Sequence, residues 1–223
     1  MRKQPIVTGE CYHIYNRGVD KRDIFGDKVD LYRFIESIKE FNQVEAIVSL
    51  SNLKKTKLEI EPKALSKKPL VLIIAYCLNP NHFHFILKQL EDGGIAKFMQ
   101  KLQAGYTYYF NVKNSRSGSL FQGTFKSQII KDENYFNKLI GYVNKNYQIH
   151  DIPKNKKDFV FAGDYEYENN DFKIISKSEG ERILEIFNGI KPFKKHCDEI
   201  VSIIRKERGK TSLLEEDILP DSA

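Results

Sequence analysis

The sequence predicts an α+β protein, and three patterns predict it. Apolar residues recur at helical spacing in several segments, as in Leu31, Phe34, Ile35 and Ile38. Between them lie aromatic-rich or continuously apolar runs of strand length, from Glu10 to Gly18, Leu70 to Leu78 and His82 to Gln89. The last two are separated only by Asn79-Pro80-Asn81, a turn that folds them into a hairpin. With 223 residues, 41% hydrophobic and 12% aromatic, the chain can bury a full core, so it is not a disordered protein.

In chain order, the first strand ends in an Asn16-Arg17-Gly18 turn and carries His13 between apolar neighbours, where a histidine usually lies on one face of an amphipathic strand. A packing helix follows from about Lys28 to Phe41. The pattern weakens from Asn42 to Lys68, a lysine-rich tract expected to be an inserted surface loop. After the hairpin, Glu91-Asp92-Gly93-Gly94 breaks the pattern before a helix from Ile95 to about Phe110, whose end is crowded by Tyr106, Tyr108, Tyr109 and Phe110. Aromatic residues among basic ones can stack on unpaired bases, but at helical spacing they are more often core. The loop from Lys113 to Lys126 is basic and glycine-containing, so Arg116 and Lys126 flank backbone that can approach a phosphate; a plain strand connection explains it too. Phe125 to Ile130 alternates like an edge strand. The next helix starts near Asp132 and Glu133 and carries Phe136, Ile140, Val143 and Tyr147 as its stripe. Two further helices, from Ser178 to Phe187 and from Phe193 to about Arg208, are separated by Gly189-Ile190-Lys191-Pro192, and residues 215–223 read as frayed.

Composition bounds the partners. Lysine and arginine outnumber aspartate and glutamate by 36 to 30, a net charge of +6 that favours a polyanion without demanding one. Three scattered cysteines, Cys11, Cys77 and Cys197, offer neither a disulfide framework nor a Cys-x-x-Cys metal site, which suits a reducing, cytoplasmic setting. No apolar run approaches the roughly 18 residues of a membrane span, so no membrane association is expected.

Two segments carry chemistry. Side chains alternate along a strand, so His82, His84 and Ile86 share one face while Phe83, Phe85 and Leu87 bury the other. The imidazole pair is half of a divalent-cation site, or else two polar residues on a solvated face. On the later helix, Tyr142 and Asn146 stand four residues apart and so on one side. A phenol can attack phosphorus once a metal ion draws charge from the phosphate, and an asparagine carbonyl can ligate that ion. Equally, a tyrosine beside a core stripe often only packs.

Taken together, Tyr12-His13-Ile14-Tyr15-Asn16-Arg17-Gly18, Asn79-Pro80-Asn81-His82-Phe83-His84, Phe98-Met99-Gln100-Lys101-Leu102, the run Ser117 to Lys126 and Tyr142-Val143-Asn144-Lys145-Asn146 resemble the IS200-like and REP-associated tyrosine transposases, single-tyrosine members of the HUH endonucleases. The likeness runs in order from about Cys11 to about Asp164. It implies a ferredoxin-like βαββαβ antiparallel sheet with helices on one face, in a catalytic domain of about residues 1–170 followed by a basic helical extension over 171–223. By motif, His82 and His84 take the metal-ligand positions with Mg²⁺ or Mn²⁺, Asn146 that of the polar third ligand, and Tyr142 that of the nucleophile. Asn16, Arg17, Lys101, Arg116, Gln122 and Lys126 fall in segments expected along the DNA. The resemblance further implies single-stranded or hairpin DNA as partner and a homodimer that can exchange its tyrosine helices. One departure is Tyr147 in place of the family's usual proline after Asn146, from which the helix is expected to run on for another turn. The competing readings are an inactive hairpin-binding protein on the same fold and an RRM-like RNA binder.

Overall fold

The computed structural model describes residues 5–45, 68–150 and 152–208. Most of the expected insertion, and all of the tail expected to fray, lie outside the described residues.

A five-stranded antiparallel sheet forms the frame. Its strands are β1 (Cys11–Arg17), β2 (Val71–Asn79), β3 (His82–Gln89), β4 (Lys126–Ile129) and β5 (Phe161–Ala162), in the order β4-β1-β3-β2-β5. The first four stand in the ferredoxin-like order, which bears out the expected fold class. The short β5 extends the β2 edge, pairing Cys77 with Ala162, and had no signal of its own in the sequence.

Register divides the sheet into two faces. Tyr12, Ile14 and Asn16 stand opposite Leu87, Phe85 and Phe83, and His13, Tyr15 and Arg17 opposite Ile86, His84 and His82. The first set faces α1 (Lys28–Phe41) and α2 (Gly94–Lys113). There Phe34 sits 5.7 Å from Phe83 and 4.9 Å from Tyr106, ring centre to ring centre. Each such fully buried aromatic ring contributes about 1.5–3 kcal/mol. Asp27 starts α1 by accepting from Asp30 N at 2.9 Å. The aromatic end of α2 is mostly core: Tyr106 donates to Ile24 O, Tyr109 donates to Asp30, and only Tyr108 is strongly exposed.

The second face is covered by α3 (Glu133–Asn144) and α4 (Asn146–Ile149), which follow the ferredoxin-like unit. Asp132 starts α3 by accepting from Tyr135 N at 2.7 Å. The further helical turn expected beyond Asn146 is present as α4, but it does not run on smoothly from α3. The helix breaks at Lys145 (φ −116°, ψ 24°) even without a proline, and a separate turn begins at Asn146. At the break the side chain of Lys145 turns inward into a cluster of carboxylates. Lys145 is almost wholly buried, with its ammonium 3.1 Å from Asp198, 3.4 Å from Glu168 and 3.8 Å from Asp164. Burial opposes that charge, but the carboxylates outweigh it and hold the Lys145 pKa above the ordinary ammonium value.

The chain closes with α5 (Asp164–Asn169), α6 (Lys177–Ile186) and α7 (Ile190–Arg208). The second long helix starts earlier than expected, at Ile190, because Pro192 falls in its first turn, where a missing N–H costs nothing. Phe193, Cys197, Ile200 and Ile204 pack into the same core as α3, so this apolar stripe is used for packing. The buried Glu166 ties the connection down by accepting from Tyr76 Oη at 2.8 Å and from the backbone N–H groups of Lys173, Ile174 and Ile175. At the base of the insertion, Asn42 brackets the start of β2 through Leu70 and Val71, and Val44 N donates to Lys68 O. Among the described residues no helix is long and apolar enough to cross a membrane.

Candidate active site

The hairpin makes the site. Pro80 and Asn81 form a two-residue turn, so Asn79 and His82 stand directly opposite each other and, two pairs further on, Cys77 faces His84. All four project on the face that α3 covers. The Phe83 and Phe85 side chains are wholly buried on the other face, which holds β3 in place.

Each imidazole has its Nδ1 engaged. His82 Nδ1 lies 2.6 Å from Asn81 Oδ1, and His84 Nδ1 lies 2.9 Å from His13 Nε2. With His82 Nδ1–H donating to Asn81, the lone pair of the ring is on Nε2. That atom lies 3.0 Å from Asn146 Oδ1 and 2.8 Å from Asn79 Nδ2, and Asn79 Nδ2 also donates to Asn146 Oδ1 at 2.7 Å. Two lone-pair atoms from a strand and a helix thus converge on one amide N–H₂ group.

Tyr142 approaches the histidines from above. Its ring stands edge-on to His84 at 5.6 Å and to His13 at 6.1 Å, with interplanar angles of 86° and 90°. His13, Tyr15 and His84 form a stacked set beneath it, at 5.1 Å for His13–His84 and 5.6 Å for Tyr15–His84. On the other flank, His150 packs against His82 at 4.9 Å, and Arg208 holds that turn by donating to Ile149 O at 2.9 Å. The cluster is closed: His82, at 7%, is the most exposed of His13, His82, His84, Tyr142 and Asn146.

One chain therefore brings Tyr142, His82, His84 and Asn146 together. The residues expected along DNA divide. Arg17 is bonded to Gln122, and Lys126 lies 5.8 Å over the Tyr15 ring, which places these three at the β1–β4 margin of the histidine face. Asn16 belongs to the opposite face and binds Gly123 O at 3.2 Å, anchoring the loop. Lys101 and Arg116 are not brought to the cluster. Lys101 donates to Gln43 O and Glu45 O at the root of the insertion, and Arg116 braces its own loop against Asn111 and Ser119 O. Two members stand outside the expected set of site residues. His13 differs from an ordinary strand histidine only through the β1–β3 register, whereas Asn79 was legible as the partner of His82 across a two-residue turn.

A divalent cation suits this donor set. Neighbouring ligands of an octahedral ion about 2.1 Å from the metal stand about 3.0 Å apart, which is the separation of His82 Nε2 and Asn146 Oδ1. The contacts of Asn81 and His13 to the two rings are of the kind that would orient imidazoles toward a metal. Among the described residues no group of three or more histidine, cysteine, aspartate or glutamate side chains forms a metal site, so the set depends on the asparagine.

The fold and the cluster define the class: an α+β protein whose antiparallel sheet carries a histidine pair under a helix-borne tyrosine. Residues 50–146 match the family model described as Transposase IS200 like. A solved structure of a REP-associated tyrosine transposase bound to a REP hairpin is similar over 79% of this chain and 89% of that one, at 15% identity and a TM-score of 0.51. The family match bears out the resemblance to the IS200-like transposases, and the structural likeness bears out the fold. No curated protein matches.

Proposed function

We propose that this chain is a transposase-type nuclease and strand transferase that cuts single-stranded DNA beside a hairpin through a covalent tyrosine intermediate. The observation that carries the reading is the convergence of Tyr142 on His84 while His82 Nε2 and Asn146 Oδ1 point at one place. The family match and the hairpin-bound relative support DNA as the substrate class.

His82, His84 and Asn146 would hold Mg²⁺ or Mn²⁺, imidazole favouring Mn²⁺ and abundance favouring Mg²⁺. Such an ion supplies positive charge to a non-bridging phosphate oxygen. The Tyr142 phenolic oxygen gives up its proton and forms a bond to phosphorus. The bond from phosphorus to the 3′ oxygen breaks, and that oxygen leaves as a hydroxyl after taking up a proton. A 5′-phosphotyrosine linkage remains, so the phosphodiester energy is kept and no nucleotide cofactor is required. Attack by another 3′ hydroxyl reverses the step and joins the strands. Arg17, Gln122 and Lys126 lie at the margin where the phosphate backbone would approach. In the described chain Tyr142 lies against its own His84, and a homodimer with exchanged helices would make the same contacts between two copies.

A second reading, hairpin binding without cleavage, is favoured by the 1% exposure of Tyr142. Incubation with single-stranded DNA from the gene's own flanks and Mn²⁺, followed by mass spectrometry, separates the two. A peptide carrying DNA on Tyr142 is expected; tight hairpin binding with no adduct and no nick supports the second reading instead.

A further inference from the structure

Asn79 is wholly buried, and its Nδ2 stands 2.8 Å from His82 Nε2 and 2.7 Å from Asn146 Oδ1, themselves 3.0 Å apart. One N–H₂ group, with two hydrogens, thus satisfies two lone pairs that would otherwise face each other. In chemical terms it occupies the position of a small cation. An ion arriving there meets a donor group with no lone pair to offer, and the site must change before it is filled.

The change needed is small. A half-turn of the amide about its last torsion exchanges oxygen for nitrogen with little movement of the side chain. Oδ1 then takes the place of Nδ2, and three lone-pair atoms, from Asn79, His82 and Asn146, form a triangle with edges near the 2.7, 2.8 and 3.0 Å now observed. One face of an octahedron around an ion with ligands at about 2.1 Å has edges of about 3.0 Å. The contact forfeited is the 3.6 Å approach of Cys77 Sγ to Asn79 Oδ1, which is weak. Neutral oxygens on both sides of an imidazole nitrogen leave the remaining positions to His84, phosphate and water.

We propose that Asn79 is a further ligand of the cation site: its N–H₂ holds His82 and Asn146 together when no ion is present, and its carbonyl oxygen joins them on the ion. This rests on the cation-site reading given above. The experiment measures Mn²⁺ binding to the full chain without DNA, by calorimetry and by the electron paramagnetic resonance of free Mn²⁺, for the parent, Asn79→Leu, Asn79→Asp and His82→Ala, with melting temperatures alongside. Leucine fills the amide's volume with no donor and is expected to weaken Mn²⁺ binding at least tenfold, a loss of the size seen when even an outer contact of a metal ligand is removed. Aspartate keeps an oxygen in place, is expected to bind Mn²⁺ at least as tightly as the parent, and gives the answer should the leucine protein not fold. A folded Asn79→Leu protein with parental Mn²⁺ affinity overturns the proposal, as does an Asn79→Asp protein that binds more weakly than the parent. His82→Ala distinguishes the two levels of failure. If the parent binds no better than His82→Ala, the cation site is wrong and Asn79 falls with it. If His82→Ala loses Mn²⁺ while Asn79→Leu keeps it, only the role of Asn79 is lost.

Discussion

The ring of Tyr142 meets the ring of His84 edge to face, at 5.6 Å and 86°, joining a helix to the middle strand of the sheet. Phenylalanine would keep that ring contact and remove only the hydroxyl. Tyr142→Phe is therefore expected to unfold within about 1 kcal/mol of the parent, while forming no covalent DNA adduct and no nick. Urea unfolding and denaturing gels with labelled oligonucleotide measure the two effects. A Tyr142→Phe protein that still becomes linked to DNA would place the nucleophile elsewhere.

His13 Nε2, 2.9 Å from His84 Nδ1, is a fixed partner of that imidazole. Replacing it by alanine frees the His84 ring to turn, and the expected cost is about 10–100-fold in Mn²⁺ affinity. His13→Gln, which returns a polar group to the same region, is expected to recover part of the loss. Calorimetry at one pH compares them; equal affinities for all three proteins would show that His13 only packs.

Some of this site was legible without coordinates, and the reasons differ residue by residue. His82 and His84 follow from strand alternation alone, and the Phe83 and Phe85 face confirms itself through apolar periodicity. That Tyr142 meets them depends on which face α3 covers, and only the family likeness supplied it. The burial of Lys145 was hidden because its partners are tertiary: three carboxylates from α5 and α7 gather around one ammonium. The short β5 and α5 had too few residues for any periodicity to register.

Gly141 marks where the C-terminal helices lock α3 in place. A Cβ there would come within 3.0 Å of two Ile200 atoms and 3.3 Å of Cys197 Cα. Helix propensity alone would make Gly141→Ala stabilising by about 1 kcal/mol. Overpacking at a closed helix contact typically costs about 1–3 kcal/mol, so the net expectation is destabilisation by about 1 kcal/mol. Chemical denaturation decides the sign, and a Gly141→Ala protein more stable than the parent would mean that α7 yields easily.

The Asp27 carboxylate starts α1 and meets Lys113 Nζ at 2.7 Å, and the Lys113 hydrogen bond holds its pKa below the ordinary value of 3.8. A carboxyl that is more acidic in the folded than in the unfolded chain contributes stability above pH 3.8 and loses it as the pH falls through the lowered folded value. Asp27→Ala is expected to cost about 1 kcal/mol near neutrality, the ordinary worth of a helix cap. Asp27→Asn is expected to keep much of the cap while unfolding with a shallower dependence on pH below 4, roughly where the carboxyl begins to protonate. Urea midpoints from pH 6 to pH 3, read as about one-unit steps, test both parts.

Lysine charge in a sequence does not reveal where the ammonium goes, and two lysines from the expected DNA-facing set now part company. Lys101 spends its hydrogen bonds on Gln43 O and Glu45 O, and burial lowers its pKa; Lys126 sits over Tyr15 at the rim of the histidine face. If Lys126 meets a phosphate, Lys126→Ala should weaken hairpin binding at every sequence tested and reduce the slope of log affinity against log salt by about 1. Lys101→Ala should leave that slope unchanged and instead loosen the root of the insertion, with more rapid proteolysis there. Fluorescence anisotropy across a salt series supplies both slopes. A smaller slope for Lys101→Ala than for Lys126→Ala would put the DNA on the α1–α2 side of the sheet, away from Tyr142.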